Sequence, residues 1–180
     1  ESLAFNQMGD AYLTFDTGLA VLNRLATDRD GDTANDSRDR AIQGASTGLV
    51  APKGFDVADG RGWVLVTDQG DPAVRVFGAQ AGGDAEPLFV TDLTVAPWDL
   101  DYDPAADRLY VALTDGTVAV FDNYSSERGA SGADRIITPA EGGVAFAAPT
   151  NLHGIVHVAA TNQLILSDVG SGANPTDGKL

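Results

Sequence analysis

Cysteine is absent from all 180 residues, so neither a disulfide nor a thiolate metal site can be built. That absence fits an exported bacterial protein. No apolar run approaches the roughly 18 residues a membrane-spanning helix needs. Residues 1–20 lack the basic start and apolar stretch of a signal peptide, and a chain opening at Glu1 is expected to be a mature or trimmed product. There is no Gly-x-Ser-x-Gly elbow for a nucleophilic serine. Gly-rich links such as Gly142-Gly143 lack the following helix or lysine of a phosphate cradle. Positive charge is scarce: 11 Lys and Arg stand against 26 Asp and Glu, a formal charge of −15. Such a surface repels phosphate backbones and anionic lipid heads, which argues against nucleic acid and membrane partners, and attracts cations. No 3.6-residue apolar stripe persists for three turns, and 21 Gly and 8 Pro punctuate the chain, so helices are not expected.

What is present repeats. Asp39-Arg40-Ala41-Ile42, a Gly-rich gap and Ala51-Pro52 lead to Phe55-Asp56-Val57. Asp134-Arg135-Ile136-Ile137, a similar gap and Ala148-Pro149 lead to Ile155-Val156-His157. Between them Leu88-Phe89-Val90 and Ala96-Pro97 lead to Leu100-Asp101-Tyr102. Each copy continues through a strand-like run, an Asp, a Gly turn and, in the first three copies, a further strand: Trp63–Thr67, Leu109–Thr114 and Leu164–Ser167, with Tyr12–Phe15 on the same plan. The aspartates Asp16, Asp68, Asp115 and Asp168 are 52, 47 and 53 residues apart. Four short β-rich runs in a period of that length specify a propeller blade. A β-sandwich would not require the same strand, Asp, Gly order four times, three of them led by a Pro. The expected fold is therefore all-β: a partial β-propeller of three four-stranded blades plus the start of a fourth, with blades near 1–47, 48–94, 95–145 and 146–180. Three and a half blades cannot close a ring, so further blades are expected in cis, the preferred reading, or from a partner subunit.

Arg135-Ile136-Ile137, Pro149, His153-Gly154-Ile155 and Leu109-Tyr110-Val111 resemble the repeat motifs of bacterial exported propellers of the NHL and YncE-like or lactonase-like families. The resemblance covers almost the whole chain. It implies architecture and an exported, periplasmic or cell-surface location, and leaves activity open, because these families mix enzymes, binders and scaffolds. In lactonase-like relatives, acids at the channel mouth hold a divalent metal that polarises an ester carbonyl.

Three sets of residues are candidates for chemistry. Asp28, Asp30, Asp32, Asp36 and Asp39 fall at positions 1, 3, 5, 9 and 12 of a twelve-residue loop, the oxygen-ligand spacing of an EF-hand-like calcium site. Thr33 stands where that turn normally has Gly, the closing residue is Asp rather than Glu, and no helices flank it; the plain alternative is a solvated acidic loop. The four strand-end aspartates are expected at the turn that shares a face with the channel mouth, although Asp beside Gly is also preferred turn chemistry. Lys53, Trp98 and His153 open the innermost strands and are expected to line that mouth, where a cation, a protein or a small polar ligand could sit. The two histidines, His153 and His157, would lie on one side of a strand about 13 Å apart, too far to share copper or zinc without a bend at Gly154. His157 shares its column with Val57 and Tyr102 and is expected to be packed.

Three functions follow. The preferred one is a calcium-stabilised binding or structural module. The second is a copper-dependent oxidoreductase of superoxide-scavenging type built on His153 and His157. The third is a metal-assisted lactonase-like hydrolase using Asp115 and His153.

Overall fold

Blades 2 and 3 are made of runs whose side chains are buried on both faces, which a strand tolerates only between two covering layers. Val64 to Asp68, Ala73 to Phe77, Leu109 to Leu113 and Val118 to Phe121 are all of this kind. The computed structural model describes residues 2–26, 38–141, 143–145, 152–170 and 178.

The first sheet is β1 (Leu3–Phe5), β2 (Ala11–Phe15), β3 (Gly18–Leu22) and β4 (Arg40–Gln43). The second is β5 (Pro52–Ala58), β6 (Trp63–Asp68), β7 (Ala73–Gly78) and β8 (Phe89–Asp92). The third is β9 (Pro97–Asp103), β10 (Arg108–Leu113), β11 (Val118–Phe121) and β12 (Arg135–Ile137). After a small hairpin, β13 (Ala140–Glu141) and β14 (Val144–Ala145), a two-stranded sheet follows: β15 (Leu152–Val158) and β16 (Gln163–Asp168). All neighbours are antiparallel and in chain order. The all-β class is shown, as three four-stranded propeller-like blades and the inner half of a fourth. The hairpin of β13 and β14, two 3-10 turns at Ala45–Thr47 and Asp59–Arg61, and one α-helical turn, α1 (Tyr124–Glu127), depart from the expectation of bare links without helix.

The core lies between sheets rather than inside them. Tyr12, Leu19, Val21 and Ile42 of blade 1 pack on Phe55, Val64, Val66 and Phe77 of blade 2. Leu65, Val74 and Val76 pack on Leu100, Leu109, Val111, Phe121 and Tyr124. Tyr110, Ala112, Val118 and Val120 meet Leu152 and Ile155 of blade 4. The strands β1, β5, β9 and β15 lie side by side and form the hub of this fan.

The pairing register sets equivalent columns. Phe55, Leu100 and Ile155 stand opposite Val66, Val111 and Leu166, so Lys53, Trp98 and His153 share one column, and Asp56, Asp101 and Val156 another. One close approach requires glycine: a Cβ on Gly54 would lie 2.0 Å from Asp99 Oδ1 and 2.6 Å from Asp99 Cα, so β5 and β9 meet only because Gly54 has none.

Candidate functional site

At the start of the hub strands, the Trp98 ring has a partner from each neighbouring blade. The His153 imidazole stacks on one face, with centroids 3.7 Å apart and planes inclined by 9°. Lys53 Nζ lies 5.1 Å from the indole centroid. The three side chains come from three successive blades and form a ladder across two seams, as the shared column requires. An ammonium over an indole contributes roughly 0.5–1 kcal/mol at a half-exposed site.

The backbone under the ladder is fixed by threonines on the second strands. Thr14 Oγ1 donates to the Lys53 carbonyl at 2.9 Å, and Thr67 Oγ1 donates to the Trp98 carbonyl at 2.8 Å. Thr67 also accepts from Gly54 N at 2.9 Å. A cleft of about 230 Å³ opens beside Lys53, lined by Thr14, Phe15, Asp16 and Pro52.

Below the ladder, carboxylates of one hub strand hold the next. Asp56 Oδ2 accepts from Tyr102 N at 3.0 Å, Asp99 Oδ2 from Ile155 N at 3.1 Å and Asp101 Oδ2 from His157 N at 3.2 Å. These bonds close off N–H groups that the edge of a hub strand would otherwise leave bare. Burial pushes the carboxyls of Asp99 and Asp101 up to about 6, against the lowering effect of those N–H donors, and raises Asp56 in the same sense. Sequence reasoning did not single out Asp99 or Asp101. The available signal was the alternation of acids with apolar residues along Trp98-Asp99-Leu100-Asp101-Tyr102-Asp103.

The strand-end aspartates are not four equivalent residues. Asp68 and Asp168 end their strands, facing Pro52 and Leu152 in register. Asp16 and Asp115 lie beyond the last residues of β2 and β10, Phe15 and Leu113, in the turns themselves. Asp68 is fully buried and accepts from Val50 N at 2.7 Å, Ala51 N at 2.9 Å, Gly70 N at 3.0 Å, Asp71 N at 3.3 Å and Arg75 Nη1 at 3.3 Å. Asp115 accepts from the amide and hydroxyl of Thr117, and Asp168 from Gly170 N, both ordinary Asx turns.

His157 has different neighbours from the ladder residues. Its Nδ1 is buried 3.2 Å from Asp103 Oδ2 without an aligned hydrogen bond, and its Nε2 faces Asn162 Oδ1 at 3.2 Å. The ring packs on Tyr110 at 4.8 Å, which is the packed position the sequence suggests. The structure therefore does not join the two imidazoles at one centre. Among the described residues no three His, Cys, Asp or Glu side chains converge on one point. Of the calcium-like loop, Asp28, Asp30, Asp32 and Asp36 lie outside the described residues; Asp39 accepts from Asn23 N at 2.8 Å.

No family model matches the chain, and no curated protein matches it. Among solved structures, Raptor from Chaetomium thermophilum is similar over 92% of this chain, with a TM-score of 0.53 and 13% identity. The chain spans 18% of Raptor's length, and at that identity the likeness concerns the fold alone.

Proposed function

We propose that the chain is a binding module of the exported, NHL- or YncE-like propeller kind, whose ligand, a protein segment or small polar molecule, seats on the Lys53–Trp98–His153 ladder. The observation that supports this reading is the ladder itself. Three unlike side chains from three blades stack at one place, where core packing requires none of them. The neighbouring cleft supplies Asp16 and Lys53 as polar anchors around Phe15 and Pro52, a composition typical of small-ligand sites. Trp98 is one of two tryptophans, so its emission reports the site. A ligand bound there changes emission in the wild type and leaves Trp98→Phe unchanged, and Lys53→Ala weakens its binding about threefold to tenfold. A panel of sugars, carboxylates and peptides that leaves Trp98 emission unaltered at millimolar concentration ends this reading.

Calcium in the 28–39 loop belongs to the same proposal as a structural ion that relieves repulsion among five aspartates. At calcium about tenfold above its Kd, binding adds roughly 1.4 kcal/mol, so EDTA lowers Tm by roughly 3–6 °C. A melting curve indifferent to EDTA and to added calcium removes the ion from the proposal.

A further inference from the structure

The seam between blades 1 and 2 and the seam between blades 2 and 3 are built from the same columns but filled differently. Arg75 stands opposite Val66 and Ala119 opposite Val111, and those two valines share a column, so blade 3 has an alanine where blade 2 has an arginine. Likewise Leu113 faces Pro97 where Asp68 faces Pro52. Between blades 1 and 2 the Arg75 side chain is buried, with its guanidinium on Asp68 and Asp71. The link at 44–51 closes over it: a Cβ on Gly48 would lie 2.9 Å from Arg75 Nε, and Thr47 and Leu49 are buried there. Between blades 2 and 3 neither filler is present. The link shortens to 93–96 and is pinned at both ends, Leu93 N donating to the Pro72 carbonyl and Thr114 N to the Ala96 carbonyl, each at 2.9 Å. A cleft of about 240 Å³ remains between two complete blades, lined among others by Val95, Leu113, Ala119, Phe121, Ile136 and Asp92. Asp92 is the one charged residue in this lining. Its side chain is exposed and has no hydrogen bond or ion pair among the described residues.

We propose that this cleft binds a small organic cation, a primary amine or guanidine on an alkyl stem about as long as an arginine's, with the stem against Leu113, Ala119 and Phe121 and the cationic head at Asp92. The stem takes the place that the Arg75 stem takes one seam earlier. Leu113 removes the acid from the inner end, so the head turns outward to the unpaired carboxylate at the mouth. Apolar walls with a single polar anchor suit such a ligand, and the volume lies below the roughly 300–1,000 Å³ of most ligand sites, which favours one small molecule over a peptide segment. A formal charge of −15 raises the local concentration of cations around the cleft. This site is separate from the Lys53–Trp98–His153 ladder and does not depend on it.

The probe is n-pentylamine, titrated into the intact native protein while NMR reads the methyl resonances of Leu113 and Ile136. Shifts of both that saturate at roughly millimolar amine are expected for a ligand of this size. Ala119→Leu places a side chain where the stem would lie and should weaken binding about tenfold or more. Asp92→Asn, at an exposed position where the fold tolerates change, should weaken it about threefold, and 1-pentanol should bind the wild type about threefold more weakly than the amine. Methyl resonances that stay fixed, or an Ala119→Leu protein that binds as well as wild type, overturn the site. Equal binding of alcohol and amine, or indifference to Asp92→Asn, overturns the cation. So does an Ile136 methyl already in contact with residues 146–151 before amine is added, because the chain then covers its own cleft.

Discussion

Replacing Asp68 by Ala should cost about 3–5 kcal/mol, the range found when one partner is removed from a buried ion pair. The carboxylate is fully buried and collects four backbone N–H groups, two from the link entering β5 and two from the turn into β7. It also meets Arg75, which is itself buried and whose second nitrogen bonds Asp71 at 2.5 Å. Removal leaves several donors without an acceptor, each costing about 1–3 kcal/mol when water cannot reach it. Tm should fall by roughly 10 °C or more for a chain of this size. Asp68→Asn keeps one acceptor oxygen and should lose less than half as much. Urea unfolding of the three proteins measures the difference. An alanine variant as stable as wild type would mean that the link and turn are held by something other than this carboxylate, and would return Asp68 to the ligand candidates.

The opposite sign is expected at Asp99 and Asp101. Their carboxyls are raised to about 6 in the folded protein by burial, and an unfolded aspartate titrates near 4. A raised carboxyl contributes stability that is fully present below the unfolded value and is lost as pH rises through the folded one. The folded state is therefore favoured by acid between about pH 6 and 4 at these two positions, and at pH 7 it carries two reluctant charges. The double variant Asp99→Asn/Asp101→Asn keeps an acceptor oxygen for Ile155 N and His157 N without the charge. After allowance for partial solvent access and coupling between the neighbours, it should be about 2 kcal/mol more stable than wild type at pH 7. The gap should close by pH 4. Asp122, lowered by hydrogen bonds from Arg135 and Arg108, pulls the total in the other direction, so the difference between the proteins is the useful quantity. A wild type at least as stable as the variant at pH 7 would show that the charged form is the one the hub prefers.

The period of the chain carried most of the architecture, because each blade needs the same turn, strand and link to expose the same columns. Lys53, Trp98 and His153 were legible for that reason: three residues at one column must meet if the blades pack. The spacing of the aspartates was less reliable. Asp115 matches Asp68 in sequence order, yet Leu113 faces Pro97 where Asp68 faces Pro52, so Asp115 falls two residues further on, in the hairpin turn. Asp99 and Asp101 were passed over because acids in a strand read as its solvent face. Here that face instead meets the N–H edge of the next hub strand. The helical turn at Tyr124 follows from a local accident. Asn123 adopts positive φ, and Asp107 accepts from the Ser125 amide and hydroxyl, which wraps the link into one turn and buries the tyrosine.

Because the apolar clusters sit at the seams, no blade owns a core, and cohesion passes only from each blade to the next. Such an arrangement behaves as a short chain of coupled units, in which a unit with a single neighbour opens more readily than one with two. Loosening the seam around Phe77, between blades 1 and 2, should therefore leave the seam between blades 3 and 4 closed, a difference that hydrogen exchange reads blade by blade.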